Sequence, residues 1–312
     1  YFIKAIKIIP TYSSPYYNLG SLYEKLNQTE NLEDLTKRAS SKLGEKDPII
    51  LLFQAQLEST KGNTGKSLEI LLDIEPSKLP SQFRTDFYSL RGKAYDKLGE
   101  FSQAFKSFET QNKLCEELNQ DKLPESESFL IETYQLKNSW QSIKSYKSKK
   151  FDFIEKDNLV FLLGFPRTGT TLLDTILMGH PDIIVLEEAP MAEIMIEDFN
   201  GIGTPEDCYN LTKTDLVEFR KLYKIELEKQ LGYSSKGKLI VDKHPLNTRY
   251  IPLLHHAFPD AKFIVALRHP CDCILSCFMQ NFEFNKGTGN LISLAKSTEL
   301  YDATMGLWVA LE

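Results

Sequence analysis

Short apolar runs, polar turns and amphipathic segments alternate through the second half of the chain. The apolar run Leu159–Leu163 has strand length, and a glycine loop and a helical pattern beginning at Thr170 follow it. Three more apolar runs each end at charged residues, and they cover 183–186, 238–241 and 262–267. Strands that alternate with helices predict a parallel sheet, and ligands bind at the carboxyl edge of such sheets. We therefore expect an α/β domain whose functional groups lie along one edge.

The loop after the first predicted strand has the features of a phosphate cradle. Gly164, Pro166 and Gly169 shape a tight turn, and Thr170 and Thr171 open the helix. N–H groups at a helix start lack intrahelical partners and lie at the positive end of the helix dipole, so they favour an anion. The glycine spacing is P-loop-like, but Thr170 stands where ATP-binding loops carry lysine. A plain structural connection between strand and helix is the alternative.

The loop Gly164–Leu173 resembles the 5′-phosphosulfate-binding loop of the sulfotransferases. In that family the loop amides and one arginine, here Arg167, hold 3′-phosphoadenosine 5′-phosphosulfate (PAPS). The resemblance implies a nucleotide site formed by Pro166, Arg167, Thr168, Gly169, Thr170 and Thr171. Arg268 and Ser276, eight residues apart, resemble the family pair that grips the 3′-phosphate of PAPS. Arginine suits phosphate because its planar fork of donors matches the phosphate oxygens, although a surface carboxylate is an alternative partner for any single arginine.

Two other predicted strands lead into charged residues that the chemistry would use. The run 183–186 leads into Glu187 and Glu188, and the run 238–241 leads into Asp-Lys-His-Pro at 242–245. These motifs resemble the sulfotransferase branch that contains the protein-tyrosine sulfotransferases and the bacterial tetratricopeptide sulfotransferases. The resemblance implies that Glu188 is the catalytic base and that Lys243 contacts the leaving bridging oxygen. Arg167 and Lys243 would then balance the charge on the sulfonate and the departing phosphate.

Other residues compete with Glu188 for the role of base. His180, His244 and His269 are candidates because many small-molecule sulfotransferases use a histidine. Each stands next to a proline near an element boundary, where a structural hydrogen bond is the alternative. Glu187 is expected to point away from the site, because consecutive side chains of a strand alternate between its faces.

The first half of the chain has helical periodicity. The segment Tyr16–Tyr23 fits the opening of a tetratricopeptide repeat, with tyrosine in place of tryptophan. The same frame returns in a later repeat at Tyr88, Gly92, Tyr95, Ala104 and Phe108. A degenerate middle repeat fits between them, with Ala55 at the position of Gly92 and Gly62 in its turn. We predict an all-α tetratricopeptide-repeat solenoid, and an ordinary helical bundle is the alternative.

Three regions follow from these patterns: tetratricopeptide-type helical repeats at 1–118, a helical connector at 119–157 and a sulfotransferase domain at 158–312. The domain is expected to be truncated, because the family continues beyond the region of Trp308. Stacked repeats leave a concave surface, so a protein acceptor or a protein partner is expected there.

Composition narrows the class of protein. The net charge of −6 argues against a general nucleic-acid-binding surface, and no apolar run approaches the ~20 residues of a membrane span. Five cysteines cannot all pair with one another, and the close spacing of Cys271, Cys273 and Cys277 provides no second ligand pair for zinc. Reduced cysteines that pack in a cytoplasmic protein, with no bound metal, are the expectation.

Three functional hypotheses remain. The first is a PAPS-dependent sulfotransferase that acts on an acceptor hydroxyl such as a peptide tyrosine, a carbohydrate or a small alcohol. The second is a P-loop-type enzyme that uses ATP, which Thr170 at the lysine position and the pair Arg268 and Ser276 argue against. The third is a repeat scaffold with an inactive sulfotransferase-like domain, which the complete set of motif residues argues against.

Overall fold

The computed structural model describes residues 1–143, 151, 153, 158–196, 201, 203–232, 235 and 237–311. The chain divides into two units. The first comprises Tyr1–Gln120 together with the short segment Met279–Glu283. The second comprises Asp121–Phe278 and Phe284–Glu312.

Helices that follow one another along the chain build the first unit. They are α1 (Phe2–Ile8), α2 (Ser13–Lys25), α3 (Thr29–Leu43), α4 (Pro48–Thr60), α5 (Thr64–Leu72), α6 (Ser81–Lys97) and α7 (Phe101–Leu118). Short 3-10 helices lie at Pro76–Lys78 and Gln120–Lys122. Helices α2 and α3, α4 and α5, and α6 and α7 pack as neighbouring pairs. The prediction that this half of the chain is helical is therefore confirmed.

Local sequence explains where these helices begin and turn. The Asp47 carboxylate accepts hydrogen bonds from the N–H groups of Ile49 (3.0 Å) and Ile50 (3.2 Å), which caps the start of α4. Gly62 and Gly99 connect α4 to α5 and α6 to α7 with φ angles of 83° and 81°. These left-handed conformations suit glycine, which has no Cβ to clash with the backbone.

The core of the first unit lies between the paired helices. Its buried members include Ile49, Leu52, Phe53, Leu71, Phe83 and Phe87. Ala55, expected at the repeat position that corresponds to Gly92, is fully buried, and Gly62 lies in the turn after α4. The assignment of these helix pairs to the tetratricopeptide family stays a prediction.

The segment Met279–Glu283 is bound to α6 and α7 of the first unit. The side-chain amide of Gln111 donates to the carbonyl oxygen of Gln280 at 2.9 Å. Asn281 donates through Nδ2 to the Asp86 carboxylate at 2.7 Å. Five residues that are distant in sequence from the helices thereby complete this unit.

A parallel four-stranded sheet with the order β2-β3-β1-β4 forms the centre of the second unit. The strands are β1 (Leu159–Leu163), β2 (Ile183–Glu187), β3 (Leu239–Lys243) and β4 (Lys262–Val265). The helices are α8 (Leu123–Gln141), α9 (Thr170–Met178), α10 (Met191–Ile196), α11 (Pro205–Asn210), α12 (Lys213–Leu231), α13 (Ile251–Ala257), α14 (Pro270–Phe278) and α15 (Leu294–Leu311). Short 3-10 helices lie at Pro245–Tyr250 and Thr288–Asn290. The prediction of a parallel-sheet α/β domain in this half is confirmed.

Side chains on the two faces of the sheet enter two apolar layers. Phe161 and Leu163 of β1 pack on one face in the main core, which also contains Tyr223 of α12 and Phe258 after α13. Val160 and Leu162 point to the other face, where leucines of α9 cover them. All five β1 residues are buried, as expected for a central strand of a parallel sheet.

Several element boundaries differ from the apolar runs in the sequence. Strand β2 includes Glu187, and β3 begins at Leu239 and includes Asp242 and Lys243. Strand β4 ends at Val265, two residues before the end of the apolar run 262–267. The ladder continues through the polar residues because its hydrogen bonds join backbone groups, whatever the side chain.

Helix α8, from the stretch expected to be a connector, packs in the second unit. Lys137 pairs with Asp302 of α15 at 2.6 Å. The indole N–H of Trp140 donates to the carbonyl oxygen of Gly203 at 3.0 Å, and both Trp140 and Leu136 enter the main core. Residues 144–150 and most of 151–157, which belong to the same predicted region, lie outside the described residues. The three predicted domain boundaries stay a prediction.

In the part of the chain that the structure describes, every helix is too short or too polar to cross a membrane.

Candidate functional site

The polar residues that follow the four strands meet at the carboxyl edge of the sheet. All strand pairs are parallel, so the Gly164 loop after β1, Glu187 and Glu188 at the end of β2, and Lys243 at the end of β3 share that edge. Arg268 follows β4 on the same edge. The topology therefore brings the predicted site residues together, as expected for an open α/β sheet.

Gly164 fixes the path of the loop. Its N–H donates to the carbonyl oxygen of Pro245 (3.2 Å) and to Oγ1 of Thr248 (3.1 Å), which ties the end of β1 to the segment after β3. Its φ is 151°, and a Cβ here would lie 2.8 Å from the carbonyl oxygen of Ala266. Only glycine fits both constraints.

The rest of the loop turns through two left-handed residues before α9 begins. Arg167 has φ 71°, and Gly169, which precedes α9, has φ 100°. Thr168 is buried and donates through Oγ1 to the carbonyl oxygen of Phe165 at 2.7 Å. Thr170 is buried, whereas Thr171 is exposed. The N–H groups of Thr170 and Thr171 precede the first full turn of α9, and N–H groups at such a helix start favour an anion.

Arg167, Arg268 and Ser276 form one cluster beside this loop. Arg167 donates through Nε to Oγ of Ser276 at 3.0 Å, and Arg268 donates through Nη1 to the carbonyl oxygen of Arg167 at 3.1 Å. Cys277 donates through Sγ to the carbonyl oxygen of Pro166 at 3.5 Å, so the start of the loop contacts α14. The cluster combines two guanidinium groups and a hydroxyl at the end of a helix, a donor set that suits phosphate oxygens.

Lys243 is the charged centre of the site. Its side chain is buried, and Nζ lies 2.9 Å from Oε1 of Glu188, 3.4 Å from Oε1 of Glu187 and 3.2 Å from Oδ2 of Asp174. Burial acts to lower the pKa of this ammonium group, but hydrogen bonds and charge contacts with Glu188 and Asp174 outweigh burial and raise its pKa. Lys243 therefore remains charged throughout the physiological pH range.

The expectation that Glu187 points away from the site is wrong. Glu187 and Glu188 both reach Lys243, although consecutive residues of a strand usually face opposite sides. Glu188 has φ 50°, which ends the extended conformation and turns its side chain back toward the side of Glu187. The N–H of Glu188 donates to the carbonyl oxygen of Lys243 at 2.8 Å and holds this conformation. Glu188 makes the shorter contact with Lys243.

Side-chain contacts are present for His180 and His244, and a main-chain contact is present for His269. His180 accepts the N–H of Asp182 through Nδ1 at 3.1 Å. The carbonyl oxygen of His269 accepts the N–H of Asp272 at 3.0 Å near the start of α14. Nε2 of His244 lies 3.9 Å from Oε1 of Glu193. Glu188 is the candidate base that contacts Lys243.

Sequence reasoning missed Asp174, which lies on α9 and is 1% exposed. One signal could have indicated it, since Asp174 is the only charged residue of Thr170–Met178 and is surrounded by leucine and isoleucine. A charge on an apolar helix indicates a buried partner. The identity of that partner, Lys243, depends on the sheet topology.

A cavity of about 1080 Å³ lies in the first unit, on the surface of α3, α4 and α5. Several of its charges pair with one another, including Lys37 and Lys61 with Glu33 and Lys66 with Glu58. The groups that could carry chemistry lie instead at the sheet edge of the second unit, so we place the candidate active site there. Among the described residues, no group of His, Cys, Asp and Glu could hold a metal ion.

The parallel sheet, the glycine loop and the charged edge define the second half of the chain as an α/β domain whose charged side chains lie at one edge of its sheet. Residues 159–310 match the model of the sulfotransferase family, and this stretch is a sulfotransferase-family domain.

Three relatives are similar to this chain. An uncharacterized protein of Aquifex aeolicus is 25% identical over 284 residues, which are 87% of this chain and 36% of that protein. The nodulation protein NoeE of Sinorhizobium fredii is 29% identical over 122 residues, 36% of this chain and 29% of NoeE. Protein-tyrosine sulfotransferase 1 of Rattus norvegicus is 27% identical over 125 residues, 39% of this chain and 34% of that enzyme. The chain thus spans about a third of the length of each relative.

Proposed function

We propose that the chain transfers a sulfuryl group from PAPS to an acceptor hydroxyl, with Glu188 as the base. The observation that carries this proposal is the contact of 2.9 Å between Glu188 and the buried Lys243, at the sheet edge that also holds the Gly164 loop. The match of residues 159–310 to the sulfotransferase family supports it.

The residues at the edge fit the anionic donor. The loop 166–171 and the start of α9 supply backbone N–H groups, and Arg167, Arg268 and Ser276 supply side-chain donors. We assign Arg268 and Ser276 to the 3′-phosphate and Arg167 to the 5′-phosphosulfate. When bound, PAPS supplies a sulfuryl group that is activated by a phosphate leaving group.

Glu188 takes the proton of the acceptor hydroxyl in the reaction. The acceptor oxygen forms a bond to sulfur while the bond between sulfur and the bridging oxygen breaks, and its electron pair leaves with the phosphate. Lys243 and Arg167 stabilise the negative charge that builds on the bridging oxygen and the sulfonate. Glu188 and Lys243 are close enough to act in the same reaction, with Glu188 at the attacking hydroxyl and Lys243 at the bridging oxygen that leaves.

We further propose a peptide tyrosine as the acceptor, recognised with the help of the helical unit. The similarity to protein-tyrosine sulfotransferase 1 over 125 residues supports a tyrosine acceptor. The consecutive helix pairs of the first unit support a peptide-binding role, because stacked helix pairs present extended surfaces to peptides.

Replacement of Glu188 tests the proposed mechanism. The Glu188→Ala variant is expected to lose transfer from ³⁵S-labelled PAPS by a factor on the order of 10²–10⁴, the usual contribution of a positioned base. Its affinity for 3′-phosphoadenosine 5′-phosphate (PAP), measured by calorimetry, should stay the same or improve, because a negative charge near a bound anion has been removed.

Glu187→Ala is the matched control, since Glu187 also contacts Lys243 but at the longer distance of 3.4 Å. It should cost less activity than Glu188→Ala. Loss of turnover in Glu187→Ala alone would move the role of base to Glu187. If neither variant loses activity, the base is a histidine such as His244. A wild-type chain that transfers nothing to tyrosine peptides, carbohydrates or small alcohols would contradict the proposal itself.

A further inference from the structure

Asp174 is a buried carboxylate that the proposed reaction does not use directly. It lies on α9, one turn after Thr170, and is 1% exposed. Its neighbours Leu173 and Leu177 pack against the sheet. A carboxylate in such surroundings is costly unless a charge partner compensates its loss of water, and Lys243 Nζ at 3.2 Å is that partner.

The carboxylates around Lys243 differ in their freedom to move. The side chains of Glu188 and Glu187 are 57% and 52% exposed, whereas those of Asp174 and Lys243 are each 1% exposed. Glu188 can therefore turn toward a substrate, and Asp174 is held by packing. When Glu188 accepts the proton of the acceptor hydroxyl, its carboxylate loses its negative charge, which weakens its attraction to Lys243.

A buried ammonium group that loses its partner is strongly unfavourable. With Asp174 in place, Lys243 keeps a fixed anionic neighbour when Glu188 turns away. Because α9 starts at the phosphate loop, the pair also joins the helix that carries the anion-binding end to the end of β3.

We propose that Asp174 is a positioning residue that holds the Lys243 ammonium group at the sheet edge while Glu188 engages the acceptor. This role of Asp174 in catalysis rests on the proposed function. Asp174 contacts no substrate itself, and it acts through Lys243.

The charge of Lys243 tests this inference without any turnover. Lysines labelled with ¹³C at Cε are titrated by NMR in the full chain, and the Lys243 signal is identified by its loss in Lys243→Arg. Asp174 raises the pKa of Lys243, so the midpoint should move to lower pH in Asp174→Asn. Asp242→Asn is the matched control, because Asp242 is also 1% exposed but hydrogen-bonds to Tyr223 rather than to Lys243. An unchanged midpoint in Asp174→Asn would overturn the inference.

Kinetics test the positioning role. In Asp174→Asn, kcat should fall by a factor on the order of 10 to 100, the scale of a misplaced catalytic group, while KM for PAPS changes little. Asp174→Glu keeps the charge but moves the carboxylate, so it should keep the wild-type midpoint and have a kcat between the wild-type and Asp174→Asn values. If Asp174→Asn does not fold, the kcat of Asp174→Glu tests the inference by itself. A kcat of Asp174→Glu equal to that of the wild type would then overturn the inference. A wild-type chain without transfer activity contradicts the proposed function, and the titration still reports whether Asp174 controls Lys243.

Discussion

Two of the residues assigned to the proposed reaction have a backbone conformation that is unusual for their type. Arg167 and Glu188 have φ angles of 71° and 50°, in the left-handed region that non-glycine residues seldom adopt. Such conformations cost free energy and cluster at functional sites, where surrounding contacts maintain them. Here the contacts are the hydrogen bond from Arg268 to the carbonyl oxygen of Arg167 and the one from the Glu188 N–H to Lys243. Contacts within the chain therefore hold both residues in these conformations.

Arg268 should determine which nucleotide is bound. Arg268→Ala is expected to lower the affinity for PAP by a factor on the order of 10 or more, which is the scale of a charge-assisted hydrogen bond. The affinity for adenosine 5′-phosphosulfate should fall much less. The difference arises because only PAP carries the 3′-phosphate. Calorimetry with both ligands measures it. An equal loss for both ligands would mean that Arg268 serves the loop through its contact with Arg167.

Asp242 should make stability depend on pH. Burial raises the pKa of Asp242 to about 7 in the folded chain. The hydrogen bond from Tyr223 lowers this pKa, and the charge of Glu193 raises it further. An aspartate in the unfolded chain has a pKa of about 3.9. Between about pH 4 and pH 7 the folded chain binds more protons at this site than the unfolded chain, so its free energy of unfolding falls as pH rises. Asparagine has no such titration. The stability of Asp242→Asn relative to wild type should therefore be greater at pH 8 than at pH 5 by about 2.5 kcal/mol.

Urea unfolding followed by tryptophan fluorescence measures this effect in the second unit, because both tryptophans, Trp140 and Trp308, belong to it. The same stability difference at both pH values would show that Asp242 is ionised in the folded chain.

At the level of elements, the sequence predicted the sheet better than it predicted the ends of its strands. Apolar runs indicate burial, and they located all four strands to within a few residues. They could not show that β3 continues to Lys243, since Asp242 and Lys243 pair through their backbones with Leu186 and Glu187 of β2. This extension places the Lys243 side chain on the α9 face, where it meets Asp174. Asp174 escaped prediction for the same reason, because its partner is set by strand register.

Gly92 should be required for the packing of α6 on α7. A Cβ at Gly92 would lie 2.6 Å from the Phe108 ring, which is 2% exposed and has little room to move. Gly92→Ala should therefore destabilise the first unit by about 1–3 kcal/mol, the usual cost of overpacking. Thermal unfolding followed by circular dichroism measures the change. Gly65→Ala in α5 is the control, since its Cβ meets nothing within 4 Å, and alanine there should be neutral or stabilising.

A second substitution tests the cause of the Gly92 effect. If the ring is the obstacle, Gly92→Ala and Phe108→Leu together should cost less than the sum of the two single changes. Additive costs would show that Gly92 is needed for its backbone instead.

At the scale of the whole molecule, the sequence separated a helical half from an α/β half, but local patterns could not place two segments. Helix α8 has an ordinary helical pattern, and its place in the second unit depends on Asp302 and Gly203, more than sixty residues away. The segment Met279–Glu283 has no strong pattern, and its place in the first unit depends on Asp86 and Gln111. Contacts between residues distant in sequence decide both cases.

The path of the chain through Met279–Glu283 has a consequence for the loss of the helical half in evolution. The backbone leaves the first unit at Gln120, returns for five residues at Met279 and leaves again after Glu283. That return follows directly after α14, the helix that carries Ser276. A gene break near residue 120 would thus separate Asp86 and Gln111 from the segment that they bind. A descendant that lost the helices of the first unit would need a new partner for those five residues.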